Sequence, residues 1–155
     1  MEQSALTDRS VSKKLQEVFN GENLAQHLLD KNYLVRYAVC ETGFGLDTLI
    51  NDPEPMIRRQ VAKQGYGLEH LLYDSNEWVR AAVAENAFGL DILIHDENRH
   101  VRNIAERIVM EKSEKSELKA QIKEAEKLSH IFDNVSHCAM HKRGNVKNAE
   151  KEIHL

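Results

Sequence analysis

The sequence predicts an all-α protein built from short helical repeats, an α-solenoid. Three observations predict it: a spacing of 22 residues recurs along residues 24–108, apolar residues recur at helical spacing within each period, and glycines recur where the helices would end. Only two prolines and seven glycines occur in 155 residues, which argues against a loop-rich β protein. We expect helices at both ends to cap the repeats.

The 22-residue period is visible in many columns of the sequence. An aspartate opens each period and an arginine follows six positions later, at Asp30, Arg36, Asp52, Arg58, Asp74, Arg80, Asp96 and Arg102. Apolar residues fill other columns, such as Val39, Val61 and Val83, and the turn repeats as Gly-Phe-Gly-Leu, Gly-Tyr-Gly-Leu and Ala-Phe-Gly-Leu. Units this short bury a core only by stacking on their neighbours.

Each period is expected to hold one longer and one shorter helix. The aspartate is expected to be the N-cap of the longer helix, because its carboxylate can accept hydrogen bonds from the first free backbone N–H groups. Pro53 would then lie just inside the helix start, where a missing N–H is harmless. Val35, Val39 and Thr42 give the apolar stripe of this helix, and a glycine with positive φ ends it. The second helix, for example residues 46–51, has at most two turns.

The two ends of the chain differ from its middle. Residues 1–23 are expected to form an N-terminal capping helix, closed by Gly21, with apolar side chains at Val11, Leu15, Val18 and Phe19. Residues 109–135 are rich in Glu and Lys and are expected to form a charged amphipathic region of one long helix or two short ones. The apolar stripe of this region consists of Leu118, Ile122, Ala125, Leu128 and Phe132. Residues 136–155 follow as a tail that is expected to be mobile.

The pattern Asp-x-x-x-x-Val-Arg-x-x-Val-Ala, as in Asp74–Ala84, resembles HEAT-type repeats and the related leucine-rich-repeat-variant family. The resemblance covers residues 24–108 and implies a right-handed α-solenoid, although 22 residues is shorter than the usual unit of either family. It also implies that the Asp and Arg columns form a structural ladder, in which each arginine bonds aspartates of its own and adjacent repeats. The alternative is an arginine column that holds phosphates or carboxylates of a ligand. Some variant-repeat proteins resemble iron–sulfur carriers through a cysteine cluster, which is missing here, so no cofactor is expected.

Columns that vary between repeats are candidates for partner binding, because the fold leaves them free. The predicted site consists of Leu34, Tyr37, Met56, Arg59, Trp78 and His100. Aromatic and methionine side chains among polar ones are typical of interface hot spots. The alternative is that Leu34, Met56 and Trp78 cover the seam between adjacent repeats.

Few residues suggest a metal site, and none suggests catalysis. His137, Cys138 and His141 lie close together with His130 upstream, but a structural zinc site needs four ligands and usually a paired cysteine motif. No metal is therefore expected. Cys40 lies in a column of small residues and is expected to pack in the core. Because no phosphate loop, nucleophile motif or nucleotide fingerprint is present, we predict that the chain is not an enzyme.

These observations favour a protein–protein interaction module, either a scaffold or a regulator of a partner protein. One alternative is nucleic-acid association through a basic tail that contains Lys142, Arg143, Lys147 and Lys151. Charge argues against it, because residues 21–108 carry fourteen acidic and nine basic side chains, a net charge of −5. Another alternative is self-assembly as a homodimer through residues 118–132. With two cysteines and no apolar run that could span a membrane, a cytoplasmic protein is expected.

Overall fold

The computed structural model describes the backbone of residues 2–151 and the side chains of residues 9–132. All regular elements of that backbone are helical, which confirms the all-α prediction. In chain order the helices are α1 (Glu2–Phe19), α2 (Leu24–His27), α3 (Tyr33–Glu41), α4 (Leu46–Leu49), α5 (Pro55–Lys63), α6 (Leu68–Leu71), α7 (Glu77–Glu85), α8 (Leu90–Leu93) and α9 (Arg99–Lys151). Contacts between Cα atoms divide the chain into two units, Met1–Met110 and Glu111–Leu155.

In the first unit, nine-residue helices alternate with four-residue helices. Helix α5 packs against both α3 and α7, and α1 packs against α2 and α3. The predicted apolar columns are buried in one core, whose largest members are Val18, Val35, Val39, Leu49, Ile57, Val61, Leu71, Val79, Val83, Leu93 and Val101. Thr42 was expected in the apolar stripe but is exposed, and its hydroxyl donates a hydrogen bond to the carbonyl oxygen of Val39 at 2.7 Å.

The starts of the nine-residue helices differ from the prediction. The N-cap of α3 is Asn32, whose side-chain oxygen accepts a hydrogen bond from the backbone N–H of Leu34 at 2.9 Å. Asp30 lies two residues earlier and accepts a hydrogen bond from the N–H of Asn32 at 2.8 Å, so the prediction that the aspartate is the N-cap is wrong. The aspartate instead positions the residue that caps the helix. Likewise Pro55, and not Pro53, lies in the first turn of α5.

The turns between longer and shorter helices use two residues with positive φ. Gly43 ends α3 with φ 79°, as predicted, although Ala87 takes the equivalent place after α7 with φ 57°. A second glycine opens α4, α6 and α8, and Asn23 takes this place before α2; Gly67 opens α6 with φ 60°. A Cβ atom on residue 67 would overlap the side chain of Ile50. A side chain at residue 67 would therefore displace the end of Ile50, in addition to straining the backbone at positive φ.

Helices α1 and α2 place polar residues where later segments have apolar ones. Glu17 and His27 lie 22 positions before Val39 and Leu49, which are both core residues. His27 is only 4% exposed, and its Nε2 atom lies 2.8 Å from a carboxylate oxygen of Glu17. The hydrogen bond with His27 lowers the pKa of Glu17. A polar pair thus occupies two positions whose equivalents 22 residues later are apolar.

The end segments are helical. Helix α1 buries Val18, whereas Phe19, expected on the same apolar face, is exposed. Helix α9 is continuous from Arg99 to Lys151, so residues 109–135 form part of one helix and not two short ones. Its backbone includes residues 136–151 of the predicted tail, while residues 152–155 lie outside the described residues. No helix in the described part of the chain combines the length and the apolar character needed to cross a membrane.

Candidate partner-binding face

The residues of the predicted ladder pair across successive segments of the first unit. Arg58 donates from Nε to Oδ2 of Asp74 at 2.7 Å and from Nη2 to Oδ1 at 2.8 Å. The same two-pronged geometry joins Arg36 to Asp52 and Arg80 to Asp96, at 2.7 and 2.9 Å in each pair. Each arginine also donates from Nη1 to the carbonyl oxygen of the aspartate six residues before it, as Arg58 does to Asp52 at 2.8 Å. The donors of these three arginines therefore face acceptors of their own chain.

Pairing keeps these ladder residues charged although they are buried. The side chains of Arg58 and Asp74 are only 14% and 7% exposed. The hydrogen bond to Asp74 raises the pKa of Arg58, and the hydrogen bond from Arg80 lowers the pKa of Asp96. Both shifts favour the ionised forms, which fits a charge-assisted pair inside the protein better than a site for an external anion.

The two ends of the ladder depart from this pairing. At the first end, Asp30 accepts a hydrogen bond from Nζ of Lys14 at 2.6 Å. At the other end, Nη1 of Arg102 donates to the carbonyl oxygens of Asp96 and Glu97 at 2.6 and 2.9 Å. The residue sixteen positions after Arg102 is Leu118, which has no carboxylate. The part of the chain that the structure describes therefore supplies Arg102 with carbonyl acceptors but with no aspartate pair.

Four of the six predicted partner-binding residues lie together on the first unit. The rings of Trp78 and His100 are in contact, with centroids 4.9 Å apart and an angle of 55° between their planes. The guanidinium carbon of Arg59 lies 5.8 Å from the centroid of the Trp78 ring, a distance at which a cation and an aromatic ring attract each other. Met56, Arg59 and Trp78 line an open cleft of about 280 Å³. We call Met56, Arg59, Trp78 and His100 the Trp78 face.

The large apolar side chains of the Trp78 face are only half covered by their own chain. Met56 is 55% exposed and Trp78 is 49% exposed. A side chain that only fills a seam would bury most of its surface, whereas these two leave apolar area available to a partner. His100 is exposed as well.

The other two predicted residues do not line the cleft. Leu34 is exposed but lies outside its lining. Tyr37 packs against the core, and its hydroxyl donates a long hydrogen bond of 3.4 Å to Oε1 of Gln60. Burial raises the pKa of Tyr37. Tyr37 thus packs against the core, which the variation of its column between repeats did not indicate.

Two residues of the cleft were not predicted from the sequence. Pro55 and Asn76 complete the lining with Met56, Arg59 and Trp78. Pro55 belongs to a varying column, and the rule that identified Met56 would have found it if applied one position earlier. Asn76 was not predicted because it has a structural role: its side-chain oxygen accepts a hydrogen bond from the backbone N–H of Trp78 at 3.0 Å.

Cys40 is a core residue, and the described side chains contain no metal site. Cys40 is buried, and burial raises the pKa of its thiol to about 12, so the side chain packs as expected. Among the described side chains, no three His, Cys, Asp or Glu residues are placed to hold a metal ion. His137, Cys138 and His141 have side chains outside the described set.

The Trp78 face offers half-exposed apolar surface, an aromatic pair and a guanidinium group in one place. Groups of these kinds bind a partner by burial, stacking and hydrogen bonding. Comparisons of the chain with protein-family models, with curated proteins and with solved structures found no match.

Proposed function

We propose that the chain is a protein-binding module and not an enzyme, and that it binds its partner through the Trp78 face. The proposal includes a short right-handed α-solenoid of HEAT-like units over residues 24–108. It is supported by the alternation of nine-residue and four-residue helices and by three Arg–Asp pairs whose partners are all sixteen residues apart. Such a stack presents side chains of successive longer helices side by side, which suits the recognition of an extended surface.

The observation that carries the proposal is the half-exposed pair of Met56 and Trp78 beside the guanidinium of Arg59. Trp, Met and Arg are enriched at protein interfaces, and Trp and Arg are among the residues that contribute most to binding energy. Two neighbours contact the Trp78 ring, the His100 ring at a tilt and the Arg59 guanidinium through a cation–π interaction. A side chain that is already held in place loses little conformational entropy when a partner covers it.

Electrostatics favour a protein over a nucleic acid as the partner. The net charge of −5 over residues 21–108 opposes a polyanion, whose binding requires clustered positive charge. The basic side chains of the tail lie outside the described side chains. The preference for a protein partner therefore depends on the charge of residues 21–108.

Affinity purification with the full chain, followed by mass spectrometry, tests the proposal. The bait carrying Trp78→Ala and Met56→Ala is expected to lose a protein partner that the wild type retains, by about tenfold or more, because hot-spot truncation costs about 2 kcal/mol or more. Leu34→Ala is the matched control, since Leu34 is equally exposed but outside the cleft. Circular dichroism checks that all baits are folded. Recovery of the same partners by wild type and double variant would show that binding occurs elsewhere.

A second candidate function is self-association through α9. Along its described side chains, the predicted stripe leaves Leu118, Ile122, Leu128 and Phe132 each at least half exposed. Apolar side chains at this spacing favour pairing of two helices, in which each copy covers the other.

The self-association candidate is tested by the oligomeric state. We expect Ile122→Glu to shift a dimer to monomer in sedimentation velocity, because a charge would be buried in the helix pair. Ala120→Glu is the control, since residue 120 lies on the opposite side of the helix from residue 122. A wild-type chain that stays monomeric at high concentration would exclude this candidate.

A further inference from the structure

Arg59 differs from Arg36, Arg58 and Arg80, the paired arginines of the ladder, in having no acidic partner. Within the described side chains no carboxylate pairs with it, and its Nε atom is buried without any hydrogen-bond partner. Its contact with the Trp78 ring is a cation–π interaction at 5.8 Å and supplies no hydrogen-bond acceptor of the carboxylate type. The group therefore keeps its charge, and its terminal Nη donors are left for another molecule.

The neighbouring residue shows which ligand such a group binds in this protein. Arg58 receives both oxygens of the Asp74 carboxylate, at 2.7 and 2.8 Å. A carboxylate matches the guanidinium group in shape and charge. An incoming carboxylate is thus the complement of Arg59.

The surroundings of Arg59 specify what should lie next to that carboxylate. Met56 and Pro55 provide apolar lining in the same cleft, and Trp78 provides an aromatic ring. Lys63 follows one helical turn after Arg59 and is exposed, which adds a second positive charge nearby. An apolar residue that lies beside the acidic residue of a bound partner would therefore contact Met56 or Trp78.

We propose that the Trp78 face binds a peptide segment in which an Asp or Glu lies beside a large apolar residue. The carboxylate is received by Arg59, and the apolar side chain covers Met56 and Trp78. This inference rests on the proposed function and specifies the chemistry of the partner. A single carboxylate is compatible with the negative net charge of the first unit, whereas a phosphate-rich partner is not favoured by it.

The test selects short peptides from a random phage-displayed library on the full chain, with counter-selection on Trp78→Ala. Trp78 is the single tryptophan of the protein, so its fluorescence reports binding of tryptophan-free versions of the selected peptides. We expect the selected peptides to share an Asp or Glu beside Leu, Ile, Met or Phe. Replacing that residue by Asn or Gln should raise Kd about tenfold, the loss typical of a hydrogen bond to a charged group.

Variants of Arg59 separate this inference from the proposed function. In Arg59→Gln the same peptide change should alter Kd by about twofold or less, and Arg59→Lys should lie between the two, because it keeps the charge and loses the fork. Selected peptides without an acidic residue, or an equal loss in wild type and Arg59→Gln, would overturn the carboxylate inference while the protein-binding proposal stands. A preference for phosphoserine over Glu would overturn it as well. Failure to select any peptide that depends on Trp78 would contradict the proposed function itself.

Discussion

Replacing Arg58 by methionine is expected to lower the free energy of unfolding by about 3–5 kcal/mol, because it leaves the Asp74 carboxylate buried without its counter-charge. The side chain of Asp74 is only 7% exposed, so water cannot replace the two hydrogen bonds it would lose. Chemical denaturation monitored by circular dichroism measures the change. A loss of this size is a large part of the total stability of a small domain.

Arg102→Met is the matched control for this prediction. Arg102 makes the same carbonyl contact six residues back but has no aspartate partner among the described residues. We expect it to cost about 1 kcal/mol, the value of an ordinary hydrogen bond. If Arg58→Met is no more destabilising than Arg102→Met, the paired carboxylate is not what makes the ladder important. The double variant Arg58→Met/Asp74→Leu should recover much of the loss, because no charge remains buried.

The contribution of the pair should also depend on pH. Burial alone would raise the pKa of Asp74, but the hydrogen bonds from Arg58 and from the backbone of Asn76 lower it overall. A carboxyl group with a lowered pKa stabilises the folded state above its unfolded value, near 3.8, and this contribution disappears as the pH falls through the folded value. The difference between wild type and Arg58→Met is therefore expected to shrink below about pH 4.

Replacing Glu17 by valine and His27 by leucine together is expected to raise the free energy of unfolding. The two substitutions install the residues found 22 positions later, where Val39 and Leu49 are buried. Well-packed apolar residues can equal or exceed a buried polar pair in stability, because no groups need to be desolvated. The gain is expected to be small, since the Glu17 side chain is 23% exposed and its carboxylate keeps part of its hydration.

The single variants are the controls for the double variant. His27→Leu alone removes the hydrogen-bond partner of Glu17 and is expected to cost about 1–3 kcal/mol. Thermal unfolding of all four proteins completes a double-mutant cycle. A double variant less stable than His27→Leu would mean that the first segment is not shaped like the later ones at these positions.

The sequence was most informative where a column repeats without change. Val39, Val61 and Val83 are buried as predicted, because each follows another apolar residue of its own helix by one turn and so shares its face. The helix start was less predictable. Asp30 and Asn32 are both good capping residues, and only the structure shows that the asparagine caps the helix while the aspartate bonds the asparagine N–H. The pairing of Glu17 with His27 was not predicted, since two unrelated polar residues carry no pattern.

The candidate site, too, was predicted from the sequence only in part. Variation between columns led to Met56, Arg59, Trp78 and His100, which the structure brings together. It also led to Tyr37, which packs against the core, because a varying residue can be buried as well as exposed. The unpaired Nε of Arg59 could not be predicted, since a sequence does not show which arginines lack partners.

The ladder also has a consequence for the speed of folding. Each Arg–Asp pair closes a loop between residues only sixteen positions apart. Closing short loops costs little chain entropy, and proteins dominated by contacts near in sequence fold fast. We therefore expect the first unit to fold on the order of microseconds to milliseconds, with no long-range step that must come first.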